Sequence, residues 1–238
     1  MTPPGGRGTR AAMIRAILFD KDGTLTDFRA TWEAWMAVAV ADLARDEGAA
    51  PEALARAVGL GADGRFRADA PFVTGTLDQT LARLAGATGL SVARLHRWLA
   101  ARPGPPPRAA GDPPGTLGRL RAAGYGLGVL TNAHRAEAEA DLAALGVAGL
   151  LDGLVACDDG HGAKPDPAGA LAFAAARGLA PAEVLVVGDG ATDRDAAAAA
   201  GMPFVAVLTG TAGPEAFPRA RAVLADIDAL PGWLDAGR

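Results

Sequence analysis

Short apolar runs recur along the chain, and each ends at glycine, proline or a polar residue. They carry apolar residues on both alternating faces, which is typical of strands in a parallel sheet that is covered on both sides. Helical patterns separate the later runs, and a glycine stands where each of these helices is expected to end. The predicted strands are 14–20, 125–131, 151–156, 183–188 and 203–208, with 221–226 as a candidate sixth, and the predicted helices are 114–123, 134–145, 167–177 and 192–200. This alternation predicts an α/β fold with a doubly wound parallel sheet.

The interval from 28 to 108 breaks this alternation, because it contains helical patterns and no convincing strand. Apolar residues at i, i+3 and i+4 from Trp32 to Leu43 predict one amphipathic helix. Further helices are predicted at 51–59, 77–84 and 91–101, the last with Ser91 as its N-cap. We therefore predict a core domain formed by 1–27 and 109–238, with an all-helical domain, 28–108, inserted after the first strand.

Composition narrows the classes of protein that fit. The net charge of the 238 residues is −4, which does not favour binding to nucleic acid or to an anionic membrane. No apolar run approaches the ~20 residues of a membrane span. Residues 1–15 lack the apolar segment of a signal peptide and are interpreted as a leader, in which Met13 is a candidate start. Because Cys157 is the only cysteine, we expect a cytoplasmic protein without a disulfide.

Polar residues stand at the carboxyl ends of three predicted strands. Asp20 ends the first strand, Thr131 and Asn132 end the second, and Asp189 ends the fourth. The carboxyl ends of the strands form the ligand crevice of an open parallel sheet. We therefore expect these residues to converge on one site, although Asp20 and Asp189 are 169 positions apart in sequence.

A cluster of carboxylates is predicted at this site. Asp189 and Asp193 are four positions apart at a helix start, so their side chains share a face, and Asp20 joins them from the first strand. Hard oxygen ligands of this kind suit Mg²⁺, which takes one or two carboxylates together with water and substrate phosphate. Lys164, one of only two lysines in the chain, precedes a predicted helix and can pair with a phosphate oxygen. Each feature alone also fits a solvated lysine or aspartates at a helix start.

The two acids of the first motif can divide a phosphoryl transfer between them. Asp20 can attack phosphorus and form an aspartyl-phosphate. Asp22 can protonate the leaving alcohol and then deprotonate water. The hydroxyl of Thr131 and the amide of Asn132 offer hydrogen bonds to the anion.

Four motifs occur in a specific order: FDKDGT (19–24), LTN (130–132), AKPDP (163–167) and VGDGATD (187–193). In them the chain resembles the haloacid dehalogenase-like hydrolase superfamily, in its phosphoglycolate-phosphatase-like branch. The resemblance implies a nucleophile and metal ligand at Asp20, and an acid/base at Asp22 that binds the metal through its carbonyl. It further implies phosphoryl-binding roles for Thr131 and Lys164. Asp189 would be a metal ligand supported by Asp193, and the helical insert would be a cap over the substrate.

The resulting prediction is a Mg²⁺-dependent phosphatase of a small phosphorylated metabolite, with 2-phosphoglycolate as leading candidate and a monomer or homodimer as the expected state. A phosphosugar phosphatase or a phosphomutase would share all four motifs. A non-catalytic phosphate-binding module is the alternative of a different class, although it would normally lack one of these residues. A dehalogenase of the same superfamily does not fit, because family dehalogenases lack the acid that Asp22 provides.

Two predictions concern residues beside these motifs. The segment 59–75 reads as a loop between cap helices, where Arg65 or Arg67 would pair with a substrate carboxylate; a solvated basic loop is the alternative. Lys21 lies between the two acids of the first motif, and its side chain is expected to be structural and to point away from both.

Overall fold

A six-stranded parallel sheet forms the centre of the computed structural model, which describes residues 13–237. Its order is β3-β2-β1-β4-β5-β6, and every neighbouring pair is parallel. The strands are β1 (Ala16–Phe19), β2 (Gly126–Leu130), β3 (Gly153–Val155), β4 (Val184–Gly188), β5 (Phe204–Val207) and β6 (Val223–Leu224). All six predicted strands are therefore confirmed, although each is shorter than its apolar run.

Helices cover both faces of the sheet. They are α6 (Pro113–Ala122), α7 (Arg135–Ala144), α8 (Ala168–Ala176), α9 (Ala191–Ala200) and α10 (Leu230–Ala236). Alternate residues of β1 enter two different apolar clusters: Ile17 and Phe19 belong to one, and Ala16 and Leu18 to the other. All four are fully buried, as expected for a doubly wound sheet.

A helical domain is inserted between β1 and β2, as predicted. Its helices are α1 (Phe28–Glu47), α2 (Pro51–Val58), α3 (Pro71–Thr74), α4 (Leu77–Thr88) and α5 (Val92–Ala100). They bury a third apolar cluster, which includes Met36, Leu54 and Leu95. Ser91 caps α5 as predicted, by accepting a hydrogen bond from the amide of Arg94 at 3.3 Å. The exact domain boundaries, 27/28 and 108/109, stay predictions.

The segment 59–75 is not wholly a loop, because it contains the single helical turn α3. Pro71 occupies the first turn of α3, where its fixed φ angle suits a helix and its missing N–H costs nothing. Part of the predicted leader, residues 1–12, lies outside the described residues. Within residues 13–237, no helix is both long and apolar enough to cross a bilayer.

The strand order fixes where a ligand site can lie. The chain leaves β1 toward β2 on one side of the sheet and leaves β4 toward β5 on the other, so the order reverses between β1 and β4. Ligand crevices of open α/β sheets form at such a reversal, outside the carboxyl ends of the strands. Phe19 is in register with Val129 and Val187, so the residues that follow these three strands meet at one edge.

Candidate active site

Asp20 lies at this reversal, directly after β1. Its amide donates to the carbonyl of Val187 at 2.8 Å, which extends the pairing with β4 by one residue. The chain then turns sharply, with the amides of Leu25 and Thr26 donating to the carbonyl of Lys21 at 2.9 and 3.0 Å. The side chain of Asp20 is buried and lines a cavity that runs into the helical domain.

The predicted carboxylate cluster is present. One carboxylate oxygen from each of Asp20, Asp189 and Asp193 lies within 4.8 Å of the others, and all three residues are buried. Asp189 follows β4, and Asp193 lies in the first turn of α9, where its second oxygen accepts from the amide of Gly190 at 3.0 Å. The structure therefore brings together three aspartates that span 174 positions of the chain.

Glycines, which the sequence analysis did not single out, make room for these carboxylates. A Cβ atom on Gly188 would lie 2.6 Å from Oδ2 of Asp193. A Cβ on Gly23 would lie 2.6 Å from Oδ1 of Asp189, and one on Gly210 would overlap Oδ2 of the same carboxylate. Only a residue without a side chain fits at these positions while the aspartates keep their places.

Lys164 is the cation of the cluster. Its Nζ contacts Oδ1 of Asp20 and lies 2.6 Å from Oδ1 of Asp193, with the whole side chain buried. Asn132 fixes the backbone of Lys164 by a reciprocal pair of hydrogen bonds: its Oδ1 accepts from the lysine amide at 2.8 Å, and its Nδ2 donates to the lysine carbonyl at 3.1 Å. The side chain of Asn132 is thus engaged in holding Lys164 in position.

Thr131 follows β2 and is buried beside Asp20 in the same cavity. Its Oγ1 accepts from the amide of Ala133 at 3.1 Å. The hydroxyl proton can therefore be donated to an anion, as predicted.

The electrostatics of the cluster favour a bound cation. Burial raises the pKa of Asp20 to about 7, with Lys164 opposing the rise and Asp193 adding to it. Burial and the carboxylates of Asp20 and Asp193 raise the pKa of Asp189 well above its usual value. Burial alone would lower the pKa of Lys164, but Asp193 and Asp20 outweigh it and raise that pKa. One ammonium among three carboxylates leaves negative charge uncompensated, so the donor set fits a divalent metal with a preference for oxygen.

Asp22 is held by several donors at the inner wall of the cavity. Its Oδ1 accepts from Nε1 of Trp32 at 3.1 Å and from the hydroxyl of Thr26 at 3.4 Å. The ammonium of Lys21 lies 2.9 Å from Oδ2. The prediction that Lys21 points away from both acids is therefore wrong for Asp22.

The surroundings of Lys21 explain this arrangement. The side chain is completely buried, and its ammonium contacts Asp141 and lies 3.4 Å from Glu137 as well as pairing with Asp22. A buried ammonium is tolerated only when carboxylates compensate it. Burial alone would lower the pKa of Lys21, but Asp22, Glu137 and Asp141 outweigh it and raise that pKa. The structural role predicted for Lys21 agrees with this complete burial.

The structure does not bring Arg65 and Arg67 to the cluster. Phe66 between them is buried, so both flanking residues turn to the surface. Arg67 donates to Asp69 at 3.1 Å, and its side chain is 82% exposed. The same segment reaches the cavity instead through Ala68 and through residues 72–75. Substrate binding by either arginine remains a prediction that this geometry does not favour.

The fold and the site together define a class of protein with a Rossmann-like core and a carboxylate cluster at the reversal of its strand order. A family model described as haloacid dehalogenase-like hydrolase matches residues 14–201, so the chain belongs to that family. Phosphoglycolate phosphatase of Rhodospirillum rubrum is 34% identical over 229 residues, which cover 93% of this chain and 91% of that protein. The family and this relative indicate a phosphomonoester hydrolase.

Solved structures support the fold. The crystal structure of a predicted phosphoglycolate phosphatase from Haemophilus somnus has a TM-score of 0.69 at 21% identity, over 95% of this chain and 99% of that one. The structure of CbbY from Rhodobacter sphaeroides in complex with phosphate has a TM-score of 0.67 at 20% identity, over 94% and 100% of the two chains. At these identities the likeness concerns the fold alone.

Proposed function

We propose that this chain hydrolyses a small phosphomonoester through an aspartyl-phosphate formed on Asp20, with Mg²⁺ as cofactor. The observation that carries the proposal is the contact between the carboxylate of Asp20 and the ammonium of Lys164 in a buried site at the reversal of the strand order. Thr131 borders the same space with a hydroxyl that can bind a phosphoryl oxygen. A nucleophile, a cation and a donor thus surround one position.

Asp20 and Asp22 can perform both steps of the hydrolysis, which are phosphorylation of Asp20 and hydrolysis of the aspartyl-phosphate, without another nucleophile. In the first step a carboxylate oxygen of Asp20 attacks phosphorus, the bond from phosphorus to the ester oxygen breaks, and Asp22 donates a proton to the leaving alcohol. In the second step Asp22 takes a proton from water, the water oxygen attacks phosphorus, and the carboxylate of Asp20 is released with inorganic phosphate. Lys164 and Thr131 bind the phosphoryl oxygens throughout.

Asp20, Asp189 and the backbone carbonyl of Asp22 would hold Mg²⁺. Asp193 would support them, because one of its oxygens contacts Lys164 and the other accepts from Gly190. When bound, Mg²⁺ supplies positive charge that stabilises the transferring phosphoryl group. A cytoplasmic location and a monomer or homodimer are further parts of this proposal.

The candidate substrate is proposed from sequence similarity to a curated relative. The relative from Rhodospirillum rubrum is a phosphoglycolate phosphatase, which makes 2-phosphoglycolate the first candidate. A phosphosugar phosphatase would differ in its substrate alone. A phosphomutase would return the phosphoryl group to an organic product, so release of inorganic phosphate in a stoichiometric assay distinguishes it. A non-catalytic module would bind phosphate without releasing it from any ester.

The experiment is hydrolysis of p-nitrophenyl phosphate with Mg²⁺ by the native chain and by Asp20→Asn. The amide keeps the shape of the carboxylate but is a very poor nucleophile, so the rate is expected to fall by several powers of ten. Asp195→Asn is the matched control, because Asp195 lies in the same helix as Asp193 but is exposed and pairs with Arg194. An Asp20→Asn variant within tenfold of the native rate would contradict the proposal.

A further inference from the structure

The cavity beside Asp20 points to the chemical class of the substrate. We propose that the alcohol released by this enzyme is apolar and carries a ring. The inference rests on the phosphatase function above but departs from the substrate that sequence similarity suggests, because it ranks such phosphomonoesters above 2-phosphoglycolate. The inference rests on the size of the cavity, the chemistry of its walls and the charges that line it.

The cavity is larger than a two-carbon acid needs. Its volume is about 450 Å³, and it extends from Asp20 and Thr131 between α1, α4 and α5 of the helical domain. Sites for drug-sized ligands have volumes of roughly 300–1,000 Å³. The phosphoryl group would occupy the end near Lys164, and the remaining space would surround the leaving group.

The walls around this space offer apolar contact. Trp32, Trp35 and Phe72 line it, with the two indole rings edge-to-face at 5.8 Å and Phe72 edge-to-face with Trp32 at 5.2 Å. Nε1 of Trp32 donates to Asp22, and Nε1 of Trp35 donates to the carbonyl of Pro103 at 3.2 Å. Both indole donors are thus engaged, and the rings present carbon surfaces that suit an aromatic or aliphatic ring.

The charges that line the cavity disfavour a substrate carboxylate. Within residues 13–237, its lining includes two cationic side chains, Lys164 and Arg102. Lys164 is paired with Asp20 and Asp193. Arg102 contacts Asp46, and its guanidinium lies 3.7 Å from the centre of the Trp98 ring. The carboxylates that line the cavity are those of Asp20, Asp22, Glu137, Asp141, Asp189 and Asp193.

A carboxylate on the leaving group would therefore enter a largely apolar space in which neither cation contributed by the described residues is free to pair with it. Transfer of an unpaired charge from water into such a space is costly, whereas transfer of an apolar ring is favourable. The same walls that disfavour 2-phosphoglycolate should bind the ring of an apolar ester.

The test compares benzyl phosphate with 2-phosphoglycolate in the presence of Mg²⁺. Both esters release a primary alcohol, so their leaving groups are closely matched and the comparison reports mainly the cavity. We expect kcat/KM to be at least ~10-fold higher for benzyl phosphate. Acetyl phosphate, which is small and activated, measures the phosphatase chemistry independently of the cavity.

A variant that adds a positive charge to the cavity tests whether the charges of its lining select the substrate. Val73 is half-buried and lines the cavity, and Val73→Arg would add a free cation there. This variant is expected to lose at least ~10-fold on benzyl phosphate and to gain on 2-phosphoglycolate, whereas Val73→Met, the apolar control, should keep the native preference. Circular dichroism would check that both variants fold.

The outcomes separate the two proposals. Hydrolysis of acetyl phosphate together with equal or faster turnover of 2-phosphoglycolate than of benzyl phosphate would overturn the inference and leave the phosphatase function standing. No hydrolysis of benzyl phosphate, of 2-phosphoglycolate or of acetyl phosphate would overturn the proposed function itself. An unchanged preference in Val73→Arg would show that the charge of the cavity does not select the substrate, and would also overturn the inference.

Discussion

Gly210→Ala would displace the carboxylate of Asp189 while leaving the backbone relaxed. Gly210 lies in the loop after β5 and, like Gly23, is packed against the carboxylate of Asp189. A Cβ atom there would overlap Oδ2 of Asp189 and lie 2.8 Å from its Cβ, whereas ordinary contacts begin at 3.4 Å. Because the φ angle of Gly210 is not in the positive region, alanine adds no backbone strain.

The size of the expected loss of activity follows from the overlap between the new Cβ atom and the carboxylate of Asp189. The carboxylate has to move by more than about 1 Å, and a displacement of that size at a catalytic group can cost roughly 100-fold in rate. We therefore expect kcat/KM for p-nitrophenyl phosphate to fall by ~100-fold, or about 2.7 kcal/mol, with a higher Mg²⁺ concentration needed for half-maximal activity. The free energy of unfolding should fall by only about 1–3 kcal/mol, because the change adds one methyl group to a packed site.

The assay is steady-state kinetics across a Mg²⁺ titration, with urea unfolding of the same preparations. Gly213→Ala is the control from the same loop, since its Cβ would meet only the carboxylate end of Glu215, which is exposed and can move away. A Gly210→Ala enzyme with native kcat/KM and an unchanged Mg²⁺ requirement would refute the assignment of Asp189 as a group that must stay in place.

Three further predictions concern the charges of the site. Lys164→Arg keeps the charge but replaces a compact ammonium with a wide planar group between Asp20 and Asp193, so kcat/KM should fall by at least ~100-fold, about 2.7 kcal/mol. Near-native kinetics of this variant would show that the shape of the cation is unimportant. EDTA should abolish activity and Mg²⁺ should restore it, with Asp189→Ala imitating chelation, whereas full activity after exhaustive chelation would contradict the metal site. Lys21→Met would leave the carboxylates of Asp22, Glu137 and Asp141 without their buried cation and should lower the free energy of unfolding by about 3–5 kcal/mol. A loss below about 1 kcal/mol in urea unfolding would contradict the structural role of Lys21.

The sheet and its ligand edge could be predicted because a strand that is buried on both faces needs apolar residues at consecutive positions of the sequence. The runs that became β1 and β4 are apolar at consecutive positions, and the polar residue that follows each one marks the edge. The turn α3 could not be predicted in the same way. Four residues are too few to show helical periodicity, so only Pro71 signalled a helix start.

Side-chain directions were the less predictable part of the site. Lys21 stands between Asp20 and Asp22 in sequence and is predicted to point away from both, but the strand ends at Phe19 and the turn that follows brings its ammonium to Asp22. Arg65 and Arg67 are predicted to bind substrate from their place in a loop between cap helices, whereas the burial of Phe66 sends both to the surface. The role of Gly210 depends on a contact with Asp189 across the sheet edge, which no local pattern records.

Phosphorylation of Asp20 is the central claim, and trapping the intermediate tests it most directly. The native enzyme, mixed with substrate and Mg²⁺ and quenched in acid during turnover, would be digested and its peptides measured by mass spectrometry. The account predicts that the peptide containing Asp20 gains the mass of one phosphoryl group, that borohydride reduction places the modification on Asp20 rather than Asp22, and that Asp20→Asn shows none. An unmodified Asp20 peptide during active turnover, or a phosphoryl group on a different residue, would contradict it.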